Sequence, residues 1–364
     1  MALLRFRLGW APAALAGLAL LCSGVTHASP HYRLLHALNL PGDGGWDDMS
    51  VDPASHRLFI AHGSQVDVID TRQLTRVGEI PDTPGVHGIA LAPELGRGYI
   101  SAGAAGTIVV FDLKTLARLK DIKATGENPD AILYDPPTRR VFTFNGRGRN
   151  ATVIDAVSDE VIGTIALDAK PEFARSDGHG HVYVNLEDKN SLAVIDARGL
   201  TLESVWPISG CEEPSGLAID VGGGQLFAVC DNHVMAVMDS ASGRVLGTVP
   251  IGAGPDGAGY DAGTRLAFAS CGEGVLTAVR RGANGAPEVA QTLPTQRGAR
   301  TMTLDETRHE IYLVTASFGP PPAATAEHPH PRPSILPGTF RLLVIGPGGK
   351  TAKSRATNVE GKGT

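Results

Sequence analysis

The chain has 364 residues, of which 19% are charged and 42% hydrophobic, with a formal net charge of -6. An acidic surface of this kind has no global attraction for DNA, RNA or anionic lipid, which sets nucleic acid aside as the expected partner. Past the N-terminus no stretch is long and apolar enough to predict a membrane-spanning helix.

In chain order, Arg5 and Arg7 open a positive region, an apolar run follows over 11–22, and Thr26-His27-Ala28 presents small residues before a cleavage point. That pattern predicts a signal peptide over 1–28 and a mature protein that is periplasmic or secreted. Leu21 is bulky for a lipid-anchor site at Cys22, so a lipoprotein is the less favoured reading. Cleavage removes two arginines and no acids, which moves the formal charge from -6 to -8.

Next comes a short apolar segment, 32–38, and then seven units that carry an aromatic at the same point: Phe59, Tyr99, Phe142, Tyr183, Phe227, Phe268 and Tyr312. Their spacings are 40, 43, 41, 44, 41 and 44 residues. A period in this range signals a stacked or circular array. Each unit divides into short β-branched and aromatic runs bounded by Gly, Pro and Asp, which predicts four strands per unit. Third strands end in apolar-Asp, at Asp70, Asp112, Asp155, Asp196 and Asp239, where the carboxylate can accept backbone N–H groups of the next turn. Seven units of four strands predict an all-β, seven-bladed β-propeller over 29–346. The seventh unit lacks a fourth strand after 340–345, and the N-terminal segment 32–38 can supply it and so close the last blade.

The segments Asn128-Pro129-Asp130-Ala131-Ile132-Leu133-Tyr134-Asp135-Pro136 and Arg140-Val141-Phe142-Thr143-Phe144-Asn145 resemble the YVTN-type (YncE-like) β-propeller repeat, as does Pro214-Ser215-Gly216-Leu217-Ala218-Ile219-Asp220. The stretch from Phe318-Gly319-Pro320 to Leu336-Pro337-Gly338-Thr339-Phe340 is similar to the last blade of such proteins. The resemblance covers roughly residues 32–346. It implies the fold and no single activity.

Function is therefore sought where the repeat is broken. The loops leading into the innermost strands converge on one mouth of a propeller channel. They carry Asp47 and Asp48, His87, Asp130, Glu172, Ser215, Asp256 and Arg300 in place of a Pro-x-Gly background. The second-strand ends on that face add His62, Asn145, Asn185, Asp231, Asn232 and His233. Oxygen ligands in a ring suit a divalent cation, for which Asp47, Asp130, Glu172 and Asp256 are the candidates, or a cationic or sugar-like molecule. Each acid can equally cap its own turn and face water. Arg139-Arg140 with Arg147 and Arg149 is the one candidate basic patch.

Of the mature cysteines, Cys211 and Cys230 flank one hairpin of the fifth unit, which suggests a disulfide. Cys271 holds the corresponding place in the sixth unit and is either a rival partner or a free thiol. The seventh unit carries a Pro- and His-rich insertion over 317–338, with His328 and His330, and the tail over 347–364 reads as disordered. No zincin, haem-attachment, nucleophile-elbow, phosphate-loop or dinucleotide motif is present. The leading expectation is an exported, non-catalytic, monomeric binding or scaffold propeller, with a small molecule or a periplasmic protein as its partner. A lactonase-like metal-dependent hydrolase and an accessory to periplasmic redox or metal metabolism are the alternatives.

Overall fold

Runs rich in Val, Ile and aromatic side chains, each ended by Gly, Pro or Asp, fold into short strands because alternate residues can pack on both faces of a pleated sheet. The computed structural model describes residues 30–43, 45–323 and 333–348. The segment 1–28, expected to be a signal peptide, His328, His330 and the tail past 348 lie outside the described residues. Among the described residues the strands assemble into seven four-stranded antiparallel sheets. The innermost strands are Trp46–Asp52, Val86–Ala92, Pro129–Asp135, Pro171–Ser176, Pro214–Asp220, Pro255–Asp261 and Met302–Asp305. Each contacts its neighbours around the ring, and the first meets the last. This is a seven-bladed β-propeller.

The seventh blade is built from both ends of the chain. Tyr32–Asn39 pairs antiparallel with Arg341–Pro347, and the register runs from Tyr32↔Pro347 to Asn39↔Arg341. The strand thus continues through Pro347, two residues past the predicted end.

The repeat aromatics form the joints between blades. All seven are at most 5% exposed, and each lies in a hydrophobic cluster shared with the following blade. Phe59 packs with Ile89 and Phe111, Phe142 with Val182 and Val184, and Tyr312 with Met49 and Leu58 of the first blade. Each fully buried ring contributes roughly 2–3 kcal/mol relative to exposure. Tyr99 also donates its hydroxyl to Ala156 O and Asp159 Oδ1 in the next blade, and Tyr183 donates to Ser240 O.

The outer edge is protected by a repeated irregularity. Every outermost strand carries a register shift against the third strand, at Val68/Ile69, Val110/Phe111, Val153/Ile154, Val194/Ile195, Val237/Met238, Ala278/Val279 and Leu34/His36. Bulges twist an edge away from pairing with another chain.

One sequence expectation changes here, that of the basic patch, and another, the disulfide, is borne out. Arg139 and Arg140 sit at the opposite end of the strand Arg140–Asn145 from Arg147 and Arg149, so the basic patch is split between the two faces of the disc. Arg140 Nη1 donates to Ala197 O and Arg198 O of the next blade, and Arg149 pairs with Asp188 at 2.5 Å. Cys211 and Cys230 form a disulfide with Cα atoms 5.3 Å apart. Cys271 is a buried free thiol. Gly252 stands where a second partner would be needed, and a Cβ placed there would lie 2.9 Å from that of Cys271.

Candidate functional site at the channel mouth

The innermost strands begin with a pairing irregularity. Register jumps from Trp46 to Met49, Val86 to Ile89, Pro129 to Ile132, Pro171 to Ala174, Pro214 to Leu217 and Pro255 to Gly257. The residues dropped from the ladder include Asp47, Asp48, His87, Asp130, Glu172, Ser215 and Asp256. A bulge releases its residue from strict alternation and re-aims the side chain. Six blades thereby present one position to a common mouth. The glycine of the Pro-x-Gly background has a steric cause. A Cβ on Gly88 would lie 3.2 Å from Asp130 O, and one on Gly257 would lie 2.8 Å from Met302 N in the next blade. Asp48 occupies this position in the first blade.

The ring resolves into three groups. In the first, His87 Nδ1 is 2.6 Å from Asp47 Oδ2 and 3.6 Å from Asp130 Oδ1, and Asn128 Nδ2 donates to Asp130 Oδ2 at 3.2 Å. In the second, Lys170 Nζ lies 2.8 Å from Glu172 Oε1 and also reaches Glu187. In the third, Ser215 Oγ donates to Asp256 Oδ1 at 3.2 Å, and Arg300 Nε is 3.5 Å from Asp256 Oδ2. Asp47, His87 and Asp130 offer ligand atoms that all lie within 4.8 Å of one another. The four acids expected to hold a cation are therefore not one cluster. Glu172 and Asp256 each have a cationic partner, and His87 takes their place beside Asp47 and Asp130.

Electrostatics set these carboxyls apart. Burial pushes Asp130 up to about 6, helped by the charges of Asp47 and Asp256 and opposed by His87 and Lys170. Burial raises Glu172 to about 7 against the opposing pull of Lys170. Burial also raises Asp48 to about 7, with Asp47 adding to the effect and Arg175 reducing it. His87 is raised chiefly by its bond to Asp47. Burial thus moves three carboxyls of the mouth well above the ordinary carboxylate range.

The second-strand residues behave differently. Asn145 and Asn185 are fully buried. Asn145 Nδ2 donates to Asn150 Oδ1 at 2.7 Å and Thr152 Oγ1 at 2.9 Å within its own blade. Asn185 Nδ2 donates to Ser215 O and Gly216 O of the next blade. Ser101 and Ser270, two residues past their repeat aromatics like Asn185, make the same kind of bond to Asp130 O and Arg300 O. These are clips that hold the mouth loops and not parts of its surface. His62 is bonded to Asp67 Oδ2 at 2.8 Å and stacked on Phe340. The described flanks of the insertion pack at the mouth, with Phe318 near Trp46 and Arg297, and Gly338 N donating to Asp43 Oδ1.

Sequence reasoning missed Arg175. It lies in mid-strand within a run read as apolar, at the level where each repeat aromatic faces an inner-strand residue. The others at that level are Ser50, Ala90, Leu133, Ala218, Gly259 and Thr303. A single charge among small and apolar residues at one register position is the signal that would have found it.

No protein-family model and no curated protein sequence matches this chain. Solved structures do. Hydrazine synthase of Kuenenia stuttgartiensis is similar with a TM-score of 0.65 and 17% identity, over 75% of this chain and 93% of that one. U3-55K has a TM-score of 0.70 and 9% identity, over 86% and 98%. The RRP9 WD40 repeats have a TM-score of 0.71 and 9% identity, over 87% and 99%. At such identities the likeness is one of fold alone. A fold that gathers loops from seven blades around a channel suits binding or scaffolding, and no helix among the described residues is long and apolar enough to cross a membrane.

Proposed function

We propose that this is an exported, non-catalytic binding propeller of the YVTN type, which takes a cationic ligand or a cationic group of a periplasmic partner at its mouth. The observation that carries the reading is the set Asp48, Asp130 and Glu172, all raised toward neutrality by burial. A carboxyl desolvated in this way costs stability when ionised, and an arriving cation offsets that cost. The disulfide Cys211–Cys230 agrees with an oxidising compartment. Thermal shift at pH 7.5 with Ca²⁺, Mg²⁺, Zn²⁺, Cu²⁺ and spermidine tests it. A saturable rise in Tm that the D130N/E172Q variant loses supports the reading, and no shift with any of these probes counts against it.

A metal-dependent hydrolase is the second reading, favoured by the Asp47–His87–Asp130 group. One imidazole and two carboxylates fit a divalent metal of the zinc or manganese type. Such an ion would supply Lewis acidity toward an ester carbonyl. Elemental analysis of protein prepared without chelator, followed by assays on esters and lactones, distinguishes it from simple binding. Redox chemistry has less behind it, because burial pushes the Cys271 thiol up to about 12 and so suppresses its thiolate.

A further inference from the structure

Asparagine followed by glycine occurs twice in the chain, as Asn145-Gly146 and Asn284-Gly285. The pair is chemically labile, because glycine has no side chain to keep its amide nitrogen away from the carboxamide carbon of the residue before it. The fold puts the two copies in opposite surroundings. Asn145 ends the strand Arg140–Asn145 and is 0% exposed. Its leaving nitrogen, Nδ2, is held by Asn150 and Thr152, and Gly146 N donates to Asn128 O at 3.0 Å. Asn284 is exposed, in the turn between Val275–Arg281 and Pro287–Pro294 on the face away from the mouth.

Nothing rigid hems in the second pair. A Cβ built on Gly285, at φ +83°, would have only the Nη2 and Nε ends of Arg281 within 4 Å, at 3.5 and 3.7 Å. Ala286 N donates to Asn284 Oδ1 at 3.0 Å, which draws electron density from the carboxamide carbon and makes it the better electrophile. Gly285 N donates to Gly282 O at 2.9 Å, a bond that an exposed turn gives up to water at little cost.

We propose that Asn284 is a site of spontaneous deamidation in the folded protein and that the same dipeptide at Asn145 is protected by the fold. The Gly285 amide nitrogen, losing its proton to solvent base, attacks Asn284 Cγ, and the side-chain nitrogen takes up a proton and leaves as ammonia. The cyclic imide then adds water across either of its C–N bonds, giving aspartate or isoaspartate. The new carboxylate arises beside the Arg281 guanidinium. Residues 282–286 lie outside the ladder, so the longer main chain of the isoaspartate product leaves the strand pairing intact. The turn is remote from the channel mouth, and the proposal stands apart from the reading of that site.

Incubation of the purified protein in mildly alkaline buffer, once folded and once in guanidinium chloride, tests it. Mass spectrometry then follows the exchange of NH2 for OH in the tryptic peptides 141–147 and 282–297, each of which holds one of the two pairs. Asn284 should react in the folded protein within about fivefold of its denatured rate, because an exposed turn opens at almost no cost. Asn145 should react at a similar rate when denatured and be slowed on the order of a hundredfold or more by folding, because a buried strand end reacts only through rare opening. N284Q should remove the mass gain from peptide 282–297 of the folded protein. A folded protein in which Asn284 stays intact, or in which Asn145 converts as fast as Asn284, would overturn the proposal. So would a gain in peptide 282–297 that survives N284Q.

Discussion

The two faces of the disc use the same residue type in opposite ways. On the face away from the mouth, Asp70 accepts the N–H groups of Arg72 and Gln73, Asp112 those of Lys114 and Thr115, and Asp155 those of Val157 and Ser158. These bonds favour the ionised form and hold all three below the ordinary carboxylate range. On the mouth face Asp130, Glu172 and Asp48 sit above it because burial dominates. Carboxylates in the turns hold the chain, whereas those at the mouth weaken it when ionised. Stability lost at one position without local gain is the physical mark of a site shaped for something else.

Substitutions should separate the faces, with the largest effects where the carboxylate is structural. Asp261 is fully buried on the far face. It accepts Gly263 N at 2.9 Å, His309 Nδ1 at 2.8 Å and the Tyr32 hydroxyl at 3.2 Å, joining blades six and seven. Asp261→Ala should cost about 3–5 kcal/mol in urea unfolding, because it strands buried partners. A loss below about 1 kcal/mol would break the contrast. The mouth face has a covalent tie of its own, the disulfide that closes a separation of 19 residues. Cys211→Ser with Cys230→Ser should cost about 3 kcal/mol by loop entropy, read in the same assay.

Asp177 accepts His179 N, Gly180 N and His181 N, and bonds His181 Nδ1. Asp177→Ala should cost about 1.5–3 kcal/mol at pH 7. Its carboxyl is depressed in the folded state, so its contribution is present above the unfolded value near 3.9 and is lost as pH falls through the folded value.

The smallest effect has the opposite sign. Asp48, Asp130 and Glu172 are raised, so the folded state binds more protons than the unfolded chain between about pH 4 and 7, and stability falls as pH rises through that window. His87 is also raised. Its contribution is complete below the unfolded value and is lost as pH rises through the folded one. The Tm of the metal-free protein should therefore drop between pH 5 and pH 8. Combining D48N, D130N and E172Q should flatten that slope and raise Tm at pH 8 by on the order of 1 °C. Lowering Tm at pH 8 would instead make the mouth acids structural.

What could be read from sequence was local and repeated. The aromatic period, the capping aspartates and the closing segment 32–38 each depend on a few neighbouring residues whose spacing survives in the linear text. Mouth positions were visible as departures from Pro-x-Gly, although their grouping was not. His87 meets Asp47 and Asp130 from two other blades, and nothing near any of them announces it. Asn145 and Asn185 were placed at the mouth by position along the strand, but side-chain direction turned them inward. Arg175 went unnoticed because its partner, Ala258 O, lies two blades away.

The pairing of Tyr32–Asn39 with Arg341–Pro347 gives the ring a seam. In the other six blades every strand pair is joined by a turn. This pair is held by hydrogen bonds and packing alone. Both chain ends leave from the same edge of it, where Gly348 N donates to His31 O at 2.8 Å. Tension applied between the two ends therefore loads that bond first and then the ladder rung by rung, as in unzipping, at the place where the ends of the ring are joined.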